Sequence, residues 1–244
     1  MRVPRLYTPQ ALAAGAVVEL DPRAANHAAR VLRLRPGAPV ILFNGSGGEY
    51  RAELERVARS GVRARVGGFL ERDAESRLEL VLAQGISRGE RMNLTLQKAV
   101  ELGITRIVPL WTERSQVRLE GERLERRMGH WQGVIVSACE QCGRTRLATL
   151  EPPARLDAVA WPDARFGHKL LLDPGADRGL RAVAPQGARL TLLAGPEGGL
   201  SERERREAVK AGFEPVCMGP RILRTETAAL AALAAIQALW GDLA

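Results

Sequence analysis

Short apolar runs punctuate the chain, and the pattern around them changes near residue 70. Before that point Pro39–Phe43 is a continuous apolar run and Asn44-Gly45 follows it as a strong hairpin signal. Tyr50–Glu55 then alternates as a partner strand would. Val62–Phe69 predicts another strand, with Arg63 and Arg65 on alternate positions. Ala25, Ala28, Ala29 and Leu32 recur at helical spacing behind Asp21-Pro22, so one helix is expected there, capped by Asp21 and ended by Pro36-Gly37. Residues 1–70 therefore read as a small, mostly β domain, and the polar stretch Glu71–Arg77 as the linker after it.

From Leu78 onward strands and helices alternate. Leu78–Ala83, Arg106–Leu110, Lys169–Leu172, Leu190–Ala194 and Pro215–Met218 are short apolar runs of the kind found in parallel sheets buried on both faces. Ser87-Arg-Gly-Glu90 and Ser201-Glu-Arg-Glu204 have the spacing of capping boxes, each opening a helix; the first is expected to run to Gly103 and the second to Gly212. Thr225 or Thr227 opens a final Ala/Leu helix. Residues 71–244 are thus expected to form an α/β domain with a largely parallel sheet.

Composition narrows the class. With 244 residues, 45% of them hydrophobic and 26% charged, the chain is neither disordered nor fibrous. The apolar stretch Ala228–Trp240 is interrupted by Gln237 and is shorter than the ~20 residues of a membrane span. The N-terminus has no apolar core of the signal-peptide kind, and three cysteines do not make a disulfide framework. A soluble, cytoplasmic protein is expected.

Charge adds a partner. Of the net charge of +8, most falls in residues 1–70, where eleven arginines face five acidic residues. A localised arginine excess is the footprint of a polyanion binder, although arginine richness also suits a solvated surface. Arg23, Arg30 and Arg33, on or near the single helix, are the candidate phosphate contacts.

Three segments could carry chemistry. Leu193–Glu202 (LAGPEGGLSE) joins a buried strand to a capped helix through Gly195, Gly198 and Gly199, and such loops at strand C-termini bind ligands. It lacks both phosphate-loop fingerprints, and Glu197, Glu202 and Glu204 would repel a phosphate, so a ligand without phosphates fits better. Met218–Ala228 (MGPRILRTETA) places two arginines, two threonines and a glutamate after another strand, a density that should face a ligand or solvent. If the two strands are adjacent and parallel, both loops reach one sheet edge. In the third segment, Ala138–Arg146, Cys139 and Cys142 have C-x-x-C spacing but no second ligand pair, so no metal is expected. Glu140, Gln141 and Arg144 there suit hydrogen bonds to a base or a neighbouring subunit. No Ser/His/Asp set supports hydrolysis.

Five motifs then occur in one order: Gln97–Gly103, Glu113-Arg114-Ser115, Glu140-Gln141 with Arg144, Gly195–Ser201, and Gly219–Ala228. Together they resemble the RsmE family of 16S ribosomal RNA (uracil-N3)-methyltransferases in the SPOUT superfamily, with Cys142 departing from the small hydroxyl residue expected there. The resemblance implies a PUA-like RNA-binding domain over residues 1–70. It implies a SPOUT domain over 71–244 whose C-terminal segment forms a trefoil knot, and a homodimer. The implied cofactor, S-adenosylmethionine, would sit between the two loops against Leu172, Leu193, Gly195, Pro196, Glu197, Gly198, Met218, Gly219, Ile222, Leu223, Arg224, Thr225 and Thr227. Within that set the adenine would be walled by Leu172, Leu193, Met218, Ile222 and Leu223. Arg224 would stabilise the uridine anion and Glu226 or Glu197 would take its proton, while Arg5, Arg23, Arg30, Arg33, Arg114 and Arg144 would contact RNA of the small ribosomal subunit. The competing reading is a non-catalytic RNA-binding or ribosome-assembly protein, which leaves two ligand-type loops unexplained.

Overall fold

Strand pairing separates the chain into two sheets. The computed structural model describes residues 3–115, 120–185 and 187–243. Contacts divide the chain into a first unit, Met1–Glu75 with Val136–Leu147, and a second, Ser76–Ile135 with Ala148–Ala244.

The first unit is built from β1 (Arg5–Tyr7), β2 (Val17–Glu19), α1 (Pro22–Asn26), β3 (Pro39–Phe43), β4 (Glu49–Ala58) and β5 (Gly61–Leu70), with sheet order β1-β3-β4-β5-β2. Only the β1–β3 pairing is parallel. Val40, Leu42, Ala52, Leu54, Val62, Ala64 and Val66 turn inward at alternate positions and pack with Ala24 and Ala28. Arg63 and Arg65 point outward, as the alternation requires. The Asp21 side chain accepts the backbone N–H groups of Arg23 and Ala24, capping α1. A π turn, His27–Val31, widens the end of this helix, and Arg33 beyond it takes a φ of +53°. The β3–β4 connection is the longer loop Asn44–Gly48, where the Asn-Gly pair suggests a two-residue turn; Gly45, Gly47 and Gly48 all adopt positive φ.

The second unit contains β6 (Glu79–Gly85), α2 (Glu90–Glu101), β7 (Ile104–Trp111), α3 (Gly121–Cys142, whose turns from Val136 belong to the first unit), β8 (Thr149–Leu150), β9 (Ala154–Arg155), β10 (His168–Leu172), β11 (Arg189–Ala194), α4 (Glu202–Lys210), β12 (Glu214–Val216) and α5 (Thr225–Trp240). Its sheet runs β12-β10-β11-β6-β7-β8, with β9 also on β7, and every pairing is parallel. On one face Val81, Ala83, Val108, Leu110, Leu171 and Leu193 pack against Trp161, Phe166, Ala208 and Phe213. Leu80, Leu82, Leu170 and Leu192 alternate with them and are equally buried; α2 and α5 pack on each other, on β7 and on β11. Both faces are therefore covered, which is why these strands read as unbroken apolar runs.

Two expectations change. The helix after β6 is not opened by a Ser87–Glu90 capping box: Gly89, at φ +62°, is the N-cap, and the Ser87 hydroxyl donates instead to the Gly85 carbonyl at 3.4 Å. The strands delivering the two loops are not adjacent either, because β10 lies between β11 and β12. They remain parallel, so their C-terminal ends still share one edge. The Ser201–Glu204 capping box forms as read.

Candidate active site

The loop after β11 and the segment before α5 meet at the C-terminal edge of the parallel sheet. The Thr225 hydroxyl donates to the Gly195 carbonyl at 2.6 Å. Gln84, fully buried at the end of β6, donates to the Thr225 hydroxyl at 3.0 Å and to the Gly195 carbonyl at 3.3 Å. A Cβ at Gly85 would lie 2.5 Å from the Pro196 nitrogen, so only glycine lets β6 approach this loop. A Cβ at Gly195 would press on Gly199 and Leu200 backbone at 3.0 Å, while Gly219 has open space around it and is required by its φ of +80°. Gly195 thus closes its own loop, and Gly219 serves a left-handed turn at the cleft.

These segments enclose a cleft of about 540 Å³. Leu172, Gly195, Pro196, Glu197, Gly198, Met218, Gly219, Ile222, Leu223, Arg224, Thr225 and Glu226 line it, joined by Arg91, Arg114, Asp173, Arg205 and Arg221. Two expected cofactor residues do not line it: Leu193 is fully buried in the sheet core, and Thr227 lies exposed on α5. Ile222, 88% exposed, stands at the rim rather than forming a wall. Two of the N–H groups at the start of α4, those of Ser201 and Glu204, are already used, because these residues cap each other. With the buried Glu204 carboxylate at this helix end, the arrangement disfavours a phosphate and suits a phosphate-free ligand.

The acids of the cleft are not equivalent. Glu197 Oε1 accepts the Arg88 backbone N–H and an Arg91 Nη1–H, each at 2.9 Å. Burial alone would raise its carboxyl, but these donors and its own backbone N–H outweigh that effect and hold it below the ordinary carboxylate range. Such a group is a poor proton acceptor. Glu226 Oε2, by contrast, is enclosed without a hydrogen-bond partner among the described residues. Arg221 and Arg224 reach the cleft with no carboxylate paired to them among the described residues, whereas Arg205 is paired with Glu202. Arg114 Nη1 donates to the Gly198 carbonyl at 3.0 Å. Its turn is fixed by buried Glu204, which accepts the Glu113 and Ser201 backbone N–H groups at 2.8 Å each. Sequence reasoning missed Gln84, Gly85 and this second bond of Glu204.

The arginines assigned to RNA separate into groups. Arg30 and Arg33 are exposed, and Arg23 is partly exposed and ion-paired with Glu140. Arg5 and Arg144 are only 7% and 3% exposed, with their guanidinium groups committed to Glu49 and Glu75. They hold the first unit together and are not presented to a polyanion, which corrects their assignment. Arg114 is exposed and lines the cleft. Glu140 is likewise committed, accepting the Tyr7 backbone N–H at 2.9 Å as well as Arg23. Burial pushes the Cys139 thiol up to about 12, far from thiolate chemistry. No group of His, Cys, Asp and Glu among the described residues could hold a metal, and no helix there is long and apolar enough to cross a membrane.

Comparison with known proteins gives this architecture its class. Residues 74–237 match the family described as an RNA methyltransferase domain, and residues 20–67 match an RNA methyltransferase PUA domain. The chain belongs to the ribosomal RNA small subunit methyltransferase E family. It is 30% identical over 244 residues to that enzyme of Buchnera aphidicola, covering 99% of this chain and 98% of the other. Against the Mycobacterium tuberculosis protein it is 32% identical, covering 92% and 87%. Its fold superimposes on a Legionella pneumophila protein described as a methyltransferase and solved with S-adenosylmethionine, with a TM-score of 0.95 and 42% identity. The Neisseria gonorrhoeae small subunit methyltransferase E, also solved with S-adenosylmethionine, gives 0.91 and 40%; both comparisons cover the full length of each chain.

Proposed function

We propose that the protein transfers the methyl group of S-adenosylmethionine to N3 of a uridine in 16S ribosomal RNA of the small subunit. The observation that carries the reading is the single cleft formed where the Gly195 loop and the Gly219–Thr225 segment are bonded together. Its volume lies within the roughly 300–1,000 Å³ of small-molecule sites. Leu172, Met218 and Leu223 offer apolar surface to an adenine, and the capped start of α4 suits a cofactor lacking phosphate.

Bound S-adenosylmethionine supplies an electrophilic methyl group on a sulfonium. The chain's residues must prepare the nucleophile, because uridine N3 carries a proton at neutral pH. Glu226, with its unpartnered Oε2, is the better acceptor for that proton, since Glu197 is held by Arg88 and Arg91. Arg224, with no carboxylate paired to it among the described residues, stabilises the anion on the uracil. Holding N3 in line with the methyl supplies much of the rate.

In this reading the basic first domain, residues 1–70, takes RNA on the exposed Arg30 and Arg33, and residues 71–244 form the knotted catalytic domain. The protein works in the cytoplasm as a homodimer. Kinetics separate the roles: Arg224→Ala and Glu226→Gln should each lower kcat by about 10²–10³-fold with little change in cofactor affinity. A large loss of cofactor affinity with kcat unchanged would remove these assignments.

A further inference from the structure

The hairpin loop between β3 and β4 carries two large side chains that its turn geometry does not require. Asn44 Oδ1 accepts the Ser46 backbone N–H at 3.2 Å and the Ser46 hydroxyl at 2.5 Å, fixing the start of the loop. Two large side chains then lie on its glycines. The Phe69 ring covers Gly48 so closely that a Cβ there would be 2.2 Å from it. The Arg146 guanidinium covers Gly47, 2.9 Å from where its Cβ would be, and backbone bridges join Arg146 to Gly45 and Ser46. Phe69 meets Tyr50 edge-on, with centroids 5.1 Å apart, yet remains 53% exposed. No carboxylate among the described residues pairs with the Arg146 guanidinium, and nearby Glu49 is already neutralised by Arg5.

We propose that Phe69 and Arg146 form a nucleotide-binding site: the base of an unpaired nucleotide stacks on the Phe69 ring while its phosphate takes the Arg146 guanidinium. A flat, fixed aromatic ring beside an unpaired cation is the combination that binds single-stranded RNA. The arginine excess of residues 1–70 supplies the matching field. Gly47, Gly48, Gly67 and Gly68 offer no side chains around the ring, so the patch lacks the contiguous apolar area of a protein interface. This site rests on the RNA-directed reading above and gives it a specific contact.

The test uses the full chain and a short oligouridylate carrying 4-thiouridine. Photo-crosslinking should label the peptide containing Phe69. Phe69→Leu should weaken oligouridylate binding about tenfold and Phe69→Tyr should restore it. Arg146→Ala should weaken binding and lower the salt slope by about one. Titration of the same variants with S-adenosylmethionine checks that they are folded. Unchanged affinity in Phe69→Leu and Arg146→Ala, or crosslinks only elsewhere, overturns the site. So does unchanged affinity accompanied by altered self-association in Phe69→Leu, which would make the ring a protein contact. A wild-type chain that binds no oligouridylate also overturns it, whereas methyl transfer failing while oligouridylate binding persists overturns only the methyltransferase reading.

Discussion

Thr225 and Gly195, thirty residues apart in sequence, are joined by a hydrogen bond of 2.6 Å from the threonine hydroxyl to the glycine carbonyl. The first residue of α5 is thereby fastened to the loop that follows β11. Buried Gln84 donates to both partners, so three separate segments fix the floor of the cleft.

Removing that hydroxyl leaves a carbonyl with one donor fewer in a largely closed environment, which typically costs about 1–3 kcal/mol. Thr225→Val should weaken S-adenosylmethionine binding about tenfold, while Thr225→Ser retains it. Isothermal titration of the two variants checks the point.

The glycines of the site should respond unequally. Gly195→Val places atoms against Gly199 and Leu200 backbone and should abolish cofactor binding by distorting the loop. Gly45→Val is not a neutral control, because Gly45 has φ +86° and stands against Leu147 and Tyr7. Gly129, exposed in α3 with open space around it, is the better one. Gly129→Ala should keep cofactor affinity and raise stability by about 0.5–1 kcal/mol, read by denaturant titration.

Much of this arrangement was legible in the sequence, for identifiable reasons. β3, the Asp21 cap and the four longer parallel strands announce themselves because their signals are local and, in the parallel strands, continuous. The Ser201–Glu204 box reads correctly because both partners lie on one turn. The helix α3 is obscured by its charged run Glu122–Arg127 and by Gly129 and Gly133. β8 and β9 are too short to leave a pattern. Arg5 and Arg144 look like surface cations because Glu49 and Glu75, which bury them, are 44 and 69 residues away. The tie through Gln84 is hidden for the same reason.

The lowered carboxyl of Glu197 fixes the direction of one pH effect. A carboxylate whose folded value lies below its ordinary value of about 4.3 contributes stability above that value and loses it as pH falls through the lowered one. Its bonds to Arg88 and Arg91 should therefore persist through the neutral range and fail only below about pH 4. Cofactor affinity measured from pH 6 to 8 should show no step that Glu197→Gln removes.

Arg33 exchanges local comfort for exposure. A non-glycine residue at φ +53° is strained by about 1 kcal/mol or more, and its side chain stands in solvent. Arg33→Gly should leave the melting temperature unchanged or raised while reducing RNA affinity and the salt slope of binding by about one. Thermal melts paired with filter-binding titrations read both effects.

The most direct measurement is transfer of labelled methyl from S-adenosylmethionine to small ribosomal subunits isolated from cells lacking the modification. The labelled nucleoside is then identified by chromatography and mass spectrometry. The expected product is N3-methyluridine in 16S RNA, formed by the wild type and reduced about 10²–10³-fold by Arg224→Ala. Absence of labelled product with a folded, cofactor-binding protein, or label on any other position of the RNA, would contradict the proposed reaction.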